Sequence, residues 1–425
     1  MTPSYALLGK RRFLPLFATQ FLGALNDNLY RTAMVMLVTY TVFNDPAREA
    51  AFSAIAGGLF ILPFFLFSAL AGQLADMLDK ARIIRLVKTA EIGIMLFGAA
   101  GLVLGNVPLL LLALFAMGVH SAFFGPIKYA ILPQHLHSEE VLGGTGMVEA
   151  GTYGAILLGT IIGGLLGPAH ANWAAAAVLG LAVVGRVTGQ FVPPALPQGE
   201  DIRAVDWHVI RASVQLVSDT MHIRKLFLAI LAISFFWSIG AVLAAQFPPL
   251  VKQVFDANEQ VATLFLAVFS VGVAAGSIAI NRLLQGQVSA RYAPVSALAM
   301  GGFVLALYWK VKGWPQETGA LLGLEQFLLQ PNSYWVVFDL FGVAVAGGMF
   351  VVPLYAFLTT TVPISHTART VAANNIVNSG AMVLSTSLLA ALVWFGMSVA
   401  DTLLMVAIGT LGAAWLGWKL HKACG

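Results

Sequence analysis

Residues 72–82 read Gly72-Gln73-Leu74-Ala75-Asp76-Met77-Leu78-Asp79-Lys80-Ala81-Arg82, a short polar break that separates two long apolar runs. The run before the break covers 51–77, and the run after it covers 82–104. Each run is long enough to cross a bilayer, because a spanning helix needs about 20 mostly apolar residues. The stretch therefore predicts two consecutive transmembrane helices joined by a short charged loop.

The same alternation of apolar runs and short polar breaks continues over the whole chain. Of its 425 residues, 59% are hydrophobic and only 10% are charged, whereas an ordinary soluble domain carries roughly 25% charged residues. So few charges cannot coat the surface of a water-soluble protein of this size. The composition predicts an all-α membrane protein whose surface faces lipid.

Twelve transmembrane helices are predicted, six on each side of a polar linker. The N-terminal bundle is expected in 1–192, the linker in 193–224 and the C-terminal bundle in 225–425. Helical spacing of apolar residues predicts an amphipathic surface helix inside the linker, and a second short interfacial helix is expected at 319–329. The predicted spans are 13–43, 51–77, 82–104, 107–131, 140–168, 171–192, 225–253, 259–284, 290–310, 333–362, 367–395 and 398–421.

The distribution of Lys and Arg predicts the orientation, because cytoplasmic loops carry an excess of both. With the N-terminus in the cytoplasm, 16 of the 23 Lys and Arg lie in cytoplasmic segments, Lys88 and Arg369 among them, and 4 lie outside. The remaining three, Arg31, Lys128 and Arg186, lie at membrane depth. Both termini are therefore expected in the cytoplasm.

The polar break at 72–82 resembles the major facilitator signature, in which Gly is followed four residues later by Asp and then by a basic cluster. The residues that match are Gly72, Asp76, Lys80 and Arg82. Asp79 replaces the second Gly of the signature, and Ala81 interrupts the basic pair. Gly permits close helix contact, and an Asp beside basic side chains and a neighbouring helix dipole can hold one conformation and release it in the other. We predict a gating role for these residues; the alternative is an ordinary charged loop.

Charged side chains inside the predicted membrane helices indicate function, because they are costly there and usually face the protein interior. Asp27 and Arg31 stand one turn apart in the first helix, where they can share a face and partly neutralise each other. Lys128 lies near the cytoplasmic end of the fourth helix. Glu149 lies in the fifth helix, and Tyr153 shares its face. The alternative is a structural role, either between helices or at the membrane surface.

Polar amides lie on adjacent faces of the predicted eleventh helix, at Asn374, Asn375 and Asn378. They either line the C-terminal half of a cavity or bond across helices. Glu91 in the third helix and Asp339 in the tenth are weaker candidates for function.

No constellation typical of an enzyme occurs in the sequence. There is no nucleophile motif, no phosphate-binding loop of the Walker type and no cluster of metal ligands, so no cofactor is predicted. The single cysteine, Cys424, allows no disulfide within the chain. The net charge of +4 comes from basic residues scattered over loops, which does not favour nucleic-acid binding. Two halves of six helices instead match many secondary carriers, whose binding site lies near the bilayer midplane between the halves.

Four stretches resemble the bacterial lysophospholipid transporter family, and they are spread over both halves of the chain. They are Gln20-Phe21-Leu22-Gly23-Ala24-Leu25-Asn26-Asp27-Asn28, Gly125-Pro126-Ile127-Lys128-Tyr129-Ala130-Ile131-Leu132, Met147-Val148-Glu149-Ala150 and Gly347-Gly348-Met349-Phe350-Val351-Val352-Pro353-Leu354.

The resemblance implies a carrier of the major facilitator fold in the bacterial inner membrane. It would move lysophospholipid, chiefly lysophosphatidylethanolamine, from the outer to the cytoplasmic leaflet by alternating access. An acyltransferase would then restore the missing chain. Some members of the family are fused to that enzyme. For this chain, a separate acyltransferase/acyl-carrier-protein synthetase is the expected partner, together with membrane lipids.

The resemblance also implies polar roles for Asp27, Lys128 and Glu149. The family has a basic residue in helix seven, but the matching stretch 236–246 has none, and Arg31 is the expected substitute. A cavity with both charge signs can pair the phosphate and the ammonium of the head group. The complete predicted substrate site is Asp27, Asn28, Arg31, Lys128, Glu149, Tyr153, Asn374 and Asn378.

Two other functions are compatible with these residues. A drug or small-solute exporter of the same fold would protect cells against toxic compounds. A membrane scaffold for a lipid-remodelling enzyme would not transport at all, and neutral replacements of Asp27 or Glu149 would leave its function intact.

Overall fold

The computed structural model describes residues 4–38, 46–166, 170–197, 205–315 and 321–424, without the side chains of 46–51, 53, 54 and 424. Within these ranges the chain is helical, and its single β-bridge joins Ala257 to Leu322. Short 3₁₀ helices cover Ser4–Gly9 and Ile364–His366. The α-helices are α1 (Leu14–Leu37), α2 (Pro46–Met77), α3 (Lys80–Leu104), α4 (Val107–Ala130), α5 (Leu132–His135), α6 (Ser138–Leu166), α7 (Ala171–Gln190), α8 (Val209–Met221), α9 (Arg224–Gln253), α10 (Glu259–Leu283), α11 (Ala293–Lys312), α12 (Leu324–Leu329), α13 (Ser333–Thr360), α14 (Thr367–Trp394) and α15 (Val399–Cys424).

Twelve of the helices in the described ranges are long, and they correspond one to one to the predicted spans. This confirms the predicted all-α fold with twelve membrane helices. Eleven of them are also apolar enough to cross a membrane by composition. The exception is α1, whose middle carries Asn26, Asp27, Asn28 and Arg31. The last part of the predicted first span, 39–43, lies outside the described residues.

Local capping explains where several helices begin and end. Asp79 caps α3 by accepting a hydrogen bond from the Ala81 N–H at 3.1 Å, so α3 begins at Lys80 and not at 82 as predicted. Asn106 caps α4 in the same way, through the Leu109 N–H at 3.0 Å. Such caps satisfy N–H groups that lack partners inside the helix. Between these helices, Gly105 takes a left-handed conformation (φ 60°), which glycine adopts without strain.

The helices pack into two compact units. Unit 1 contains Met1–Thr220 with Leu358–Ile376, and unit 2 contains Met221–Phe357 with Val377–Gly425. The separation into bundles at 1–192 and 225–425 stays a prediction.

Unit 1 is organised around α1, which packs against α6 and α7, while α3 packs against α4 and α7. Its apolar core includes Tyr30, Met34, Met95 and Met117. The buried Tyr30 hydroxyl donates to the Leu110 carbonyl at 2.8 Å, so burial of this phenol leaves no unmet donor.

Small residues allow α1 and α6 to approach each other closely. A Cβ added to Gly159 would lie 2.5 Å from the Leu25 carbonyl oxygen, and one added to Gly163 would lie 2.7 Å from that of Leu29. Helices in lipid often associate through such small residues. This packing accounts for both glycines, whereas Gly164 has nothing within 4 Å of an added Cβ.

Unit 2 is built from α9, α11 and α15, with α10 beside α9. Its core is rich in aromatic rings, such as Phe255, which meets the Trp314 ring edge-to-face at 4.6 Å between centroids. Phe327 of the short α12 packs on Phe255 and Phe265. The interfacial helix predicted at 319–329 is thus shorter, and 319 and 320 lie outside the described residues.

The amphipathic helix predicted in the linker is α8. Ala212 packs against Ala69 and Ile376, while Ile210 and Val214 are exposed. Asp206 precedes the helix and accepts two side-chain hydrogen bonds from Arg211, at 2.7 and 2.9 Å. These bonds, together with one from the His208 N–H, hold the pKa of Asp206 at about 2.

Candidate functional site

The Asp76 carboxylate at the end of α2 receives the N-terminus of α14. It accepts hydrogen bonds from the backbone N–H of Ala368 at 3.0 Å and of Arg369 at 3.1 Å, and from the Arg369 Nε at 3.0 Å. The partly positive end of a helix favours a negative group at this place. All of these residues belong to unit 1. The structure therefore gives Asp76 a neighbouring helix dipole and a basic side chain, the two features proposed from the sequence.

The other three residues of the predicted gate, Gly72, Lys80 and Arg82, differ in packing and in exposure. A Cβ added to Gly72 would lie 2.7 Å from the Ala372 Cβ and 3.0 Å from the Arg369 Cα, so this glycine lets α2 touch α14. Lys80 is buried at the start of α3, while Arg82 is exposed. The guanidinium that binds Asp76 comes instead from Arg369.

Sequence reasoning did not find Arg369, because it treated this residue only as a cytoplasmic charge. The available signal was its position in the first turn of the predicted eleventh helix. There a basic side chain opposes the helix dipole unless an acidic partner is near.

Asp27, Asn28 and Arg31 are in contact along α1, but not in the expected pairing. The Arg31 guanidinium donates to the Asn28 amide oxygen at 3.1 Å and is exposed. It lies over the Phe60 ring at 6.0 Å, and no ion pair joins it to Asp27 in the described chain. Asp27 instead accepts from the Ser121 hydroxyl of α4 at 2.7 Å. The charge of Asp27 still acts on Arg31, but the direct hydrogen bond of the guanidinium goes to Asn28.

Glu149 is fully buried in α6 and binds a neighbour from α4. The Tyr129 hydroxyl donates to its Oε1, while its Oε2 has no hydrogen-bond partner in the described chain. The Lys128 ammonium lies over the Tyr129 ring at 4.8 Å, and the carboxylates whose charges act on it are Glu149 and Asp27. Tyr153, one turn beyond Glu149, is buried in the same unit. Unit 1 therefore brings Asp27, Lys128 and Glu149 into one electrostatic group.

The predicted asparagines of α14 fall in two units. Asn374 is fully buried in unit 1. Asn378 belongs to unit 2, where its amide oxygen accepts from the Ser234 hydroxyl at 2.6 Å and its Nδ2 donates to the Tyr355 hydroxyl at 3.4 Å. The contacts of Asn378 favour the prediction that these amides bond across helices over the prediction that they line a cavity.

A buried ionic cluster lies next to Asp27, and Glu91 is the one member that the sequence analysis named as a candidate. Glu91 and Lys88 of α3 form an ion pair at one-turn spacing, and both side chains are at most 1% exposed. The His120 Nε2 lies 3.2 Å from Glu91 Oε2, and the Asn26 Nδ2 donates to Glu91 Oε1 at 2.8 Å.

The position of Lys88 corrects its assignment to a cytoplasmic segment. Its side chain runs between small residues: a Cβ added to Gly23 would lie 3.2 Å from its Nζ, and one added to Gly185 would lie 2.9 Å from its Cε. The signal in the sequence was the i, i+3 spacing of Lys88 and Glu91.

The fold and these polar helices define a membrane carrier of a known superfamily. Residues 16–309 match the family model of the Major Facilitator Superfamily. This match covers more than half of the chain, so the protein belongs to the Major Facilitator Superfamily.

Individual proteins similar to this chain are transporters. The lysophospholipid transporter LplT of Citrobacter koseri is 27% identical over 401 residues, which are 93% of this chain and 90% of the relative. The protein of the same name from Serratia proteamaculans is 28% identical over 366 residues, 84% and 82% of the two chains. The human organic anion transporter MFSD10 has a similar fold, with a TM-score of 0.75 at 13% identity over 96% of this chain and 99% of that one.

Proposed function

We propose that this protein is a secondary carrier for lysophospholipid, chiefly lysophosphatidylethanolamine. The observation that carries the proposal is the group of Asp27, Lys128 and Glu149 on three helices of unit 1, which offers both charge signs inside a chain of apolar helices. Support also comes from relatives called lysophospholipid transporters, which are similar over most of the chain.

The chemistry of the head group suits these residues. A lysophosphatidylethanolamine head carries one phosphate anion and one ammonium cation. Asp27 has a carboxylate oxygen without a hydrogen-bond partner in the described chain, and we assign the ammonium to it. Lys128 is not ion-paired within 4.0 Å in the described chain and would bind the phosphate. Pairing of both charges offsets part of the loss of hydration.

Glu149 would stabilise the positive charge of Lys128 and would not contact the ammonium of the lipid. Its Oε1 is held by Tyr129, and it is fully buried. In this assignment Arg31, which binds Asn28 at the surface of α1, has a secondary role at the entrance for phosphate.

Transport would run from the outer to the cytoplasmic leaflet of the bacterial inner membrane by alternating access. Asp76 and Arg369 would hold one state through the N-terminus of α14. Both termini would lie in the cytoplasm, and a separate acyltransferase would consume the delivered lipid.

The experiment that tests this function is movement of labelled lysophosphatidylethanolamine across proteoliposomes, with the diacyl lipid as control. We expect protein-dependent movement of the lyso form alone. Equal movement of both lipids, or none in folded protein, would contradict the proposal, and the second outcome would favour a small-solute exporter.

A further inference from the structure

A basic cleft lies in unit 1 beside the start of α1 and the end of α7. Its volume is about 460 Å³, which is within the range of pockets that hold small molecules. Three of the side chains that line it are arginines, Arg11, Arg12 and Arg85, and the others belong to residues 190–194. No residue of the predicted substrate site or of the predicted gate lines this cleft, so neither of them explains it.

The three arginines reach the cleft from two separate parts of the chain. Arg11 and Arg12 lie in the turn that joins the first 3₁₀ helix to α1, and Arg85 lies in the second turn of α3. Both parts are at the predicted cytoplasmic side, where Lys and Arg are generally in excess. That rule explains why basic residues occur at this side. It does not explain why three guanidinium groups line one cleft.

Hydrogen bonds fix the proline-containing wall of the cleft. The Ala195 N–H donates to Asp79 Oδ1 at 2.8 Å, and the Ala195 carbonyl accepts from the Lys80 N–H at 3.1 Å. The Pro194 carbonyl lies 3.3 Å from the His135 Nε2. Proline also restricts the backbone of this wall, because its ring fixes φ. The cleft is therefore preformed and does not need a ligand to order it.

Most donors of the three guanidinium groups are not used by the protein. Arg12 donates to Glu140 at 2.7 Å. Arg85 approaches Asp79 only to 3.6 Å, which is too long for a hydrogen bond. Arg11 is exposed and has no hydrogen bond or ion pair within the described residues. Since each guanidinium carries five N–H donors, the cleft presents many donors to an anion.

The carboxylates beside the cleft do not cancel its positive charge. Glu140 is shared by two cations, Lys10 and Arg12, each at 2.7 Å. Asp79 caps α3 and receives the Ala195 N–H, so only its other oxygen faces Arg85. The cations are Lys10, Arg11, Arg12 and Arg85, and the carboxylates are Asp79 and Glu140. The positive excess favours an anionic ligand.

Apolar side chains at the cleft favour a lipid over a soluble anion. Phe191 lines the cleft and is exposed, and Leu86, which follows Arg85 on α3, is exposed as well. Both α3 and α7 are long and apolar enough to cross a membrane, so their exposed apolar side chains face acyl chains. A phospholipid can place its phosphate among the arginines and its acyl chains along these helices.

We propose that the basic cleft binds the phosphate of an anionic diacyl phospholipid, such as phosphatidylglycerol, from the surrounding leaflet. Arg11 and Arg85 bind the phosphate oxygens, because a planar guanidinium can donate two parallel hydrogen bonds to such a group. Arg12, which Glu140 holds in place, adds positive charge. Basic pockets at the cytoplasmic side of membrane helices bind anionic head groups in this way. This lipid stays bound and is not the cargo, so the site does not depend on the proposed function.

The test is lipid binding to the purified full chain in detergent, followed by native mass spectrometry. Dioleoyl phosphatidylglycerol is compared with dioleoyl phosphatidylcholine, which has the same acyl chains and no net charge. We expect the first molecule of phosphatidylglycerol to bind about tenfold or more tightly than phosphatidylcholine. Arg11→Gln and Arg85→Gln should each weaken phosphatidylglycerol about fivefold or more and leave phosphatidylcholine unchanged. Arg291→Gln removes the same charge from an exposed arginine of unit 2 and should have no effect.

Equal affinity of phosphatidylglycerol for the original protein and for both cleft variants would overturn the proposal. An equal loss in Arg291→Gln would also overturn it, because the attraction would then depend on total charge and not on the cleft. Arg11→Gln removes no contact within the described residues, so it should melt like the original protein. It remains a valid test if Arg85→Gln does not fold.

Inorganic phosphate distinguishes a lipid from a soluble anion as the occupant. Phosphate alone should change the melting temperature of the original protein and of Arg11→Gln equally, because the lipid also needs its acyl chains to bind. Stabilisation by phosphate that Arg11→Gln loses, without preferential binding of phosphatidylglycerol, would assign the cleft to a soluble anion and contradict the lipid site.

Discussion

Arg369 donates both its backbone N–H and its side-chain Nε to the same carboxylate oxygen of Asp76, at 3.1 and 3.0 Å. One carboxylate thus serves as cap and as counter-ion for the start of α14. Hydrogen bonds to a charged group are stronger than neutral ones, and the Asp76 side chain is 1% exposed. The pair is the best-formed part of the predicted gate.

Replacement of Asp76 tests this gate. Asp76→Asn removes the charge and weakens three hydrogen bonds, so the state that they hold should lose about 2 kcal/mol. We expect the transport rate to fall about tenfold or more, while the protein stays folded in the membrane. Asp206→Asn is the matched control, because Asp206 also binds an arginine and a backbone N–H but is at the surface. Equal rates in Asp76→Asn and the control would remove the gating role.

The contact of α2 with α14 is tested at Gly72. In Gly72→Ala the new Cβ would be 2.7 Å from another Cβ, which requires one helix to move. Overpacking of this kind destabilises by about 1–3 kcal/mol, and the loss should appear as a lower melting temperature of the purified protein. Gly164→Ala, where the added methyl meets nothing within 4 Å, should melt like the original. If the two variants melt alike, this close contact is not present in solution.

The negative charge of Glu149 is predicted to matter more than its hydrogen bond. Glu149→Gln keeps the size of the side chain and can still accept from Tyr129, but it leaves Lys128 without its first counter-charge. An uncompensated charge inside a membrane bundle is costly, so we expect transport to be nearly abolished. Glu139→Gln, an exposed change on the same helix α6, should be neutral. Normal transport by Glu149→Gln would contradict a role of this negative charge in the carrier.

The space between Gly23 and Gly185 that holds the Lys88 side chain gives a fourth prediction. Gly185→Ala would place a methyl group 2.9 Å from the Lys88 Cε and displace the ammonium from Glu91. We expect a lower melting temperature, because the buried ion pair of Lys88 and Glu91 is then disturbed. Gly180→Ala on the same helix α7 meets nothing within 4 Å and is the control. An unchanged melting temperature of Gly185→Ala would show that the Lys88 side chain does not need the space beside Gly185 to reach Glu91.

Long runs of apolar residues predicted the twelve helices, although the polar middle of α1 leaves it less apolar than the other eleven. The Gly72 and Asp76 spacing also predicted a helix contact. Neither pattern identifies the partner, since Arg369 is distant in sequence and reaches Asp76 only through packing. Arg31 was assigned to Asp27 by charge, but a guanidinium also binds a nearby amide, and Asn28 is three residues away. Lys88 was assigned to a cytoplasmic segment, since its burial depends on packing against Gly23 and Gly185 of other helices.

The most direct test of the account compares two head groups in proteoliposomes that contain Asp27→Asn. Lysophosphatidylethanolamine has the ammonium that we assign to Asp27, and lysophosphatidylglycerol has none. We predict that the substitution lowers the initial rate for the first lipid about tenfold or more and changes the rate for the second by less than about threefold. Equal losses for both lipids, or no loss for either, would contradict the assignment of Asp27 as the carboxylate that recognises the ammonium.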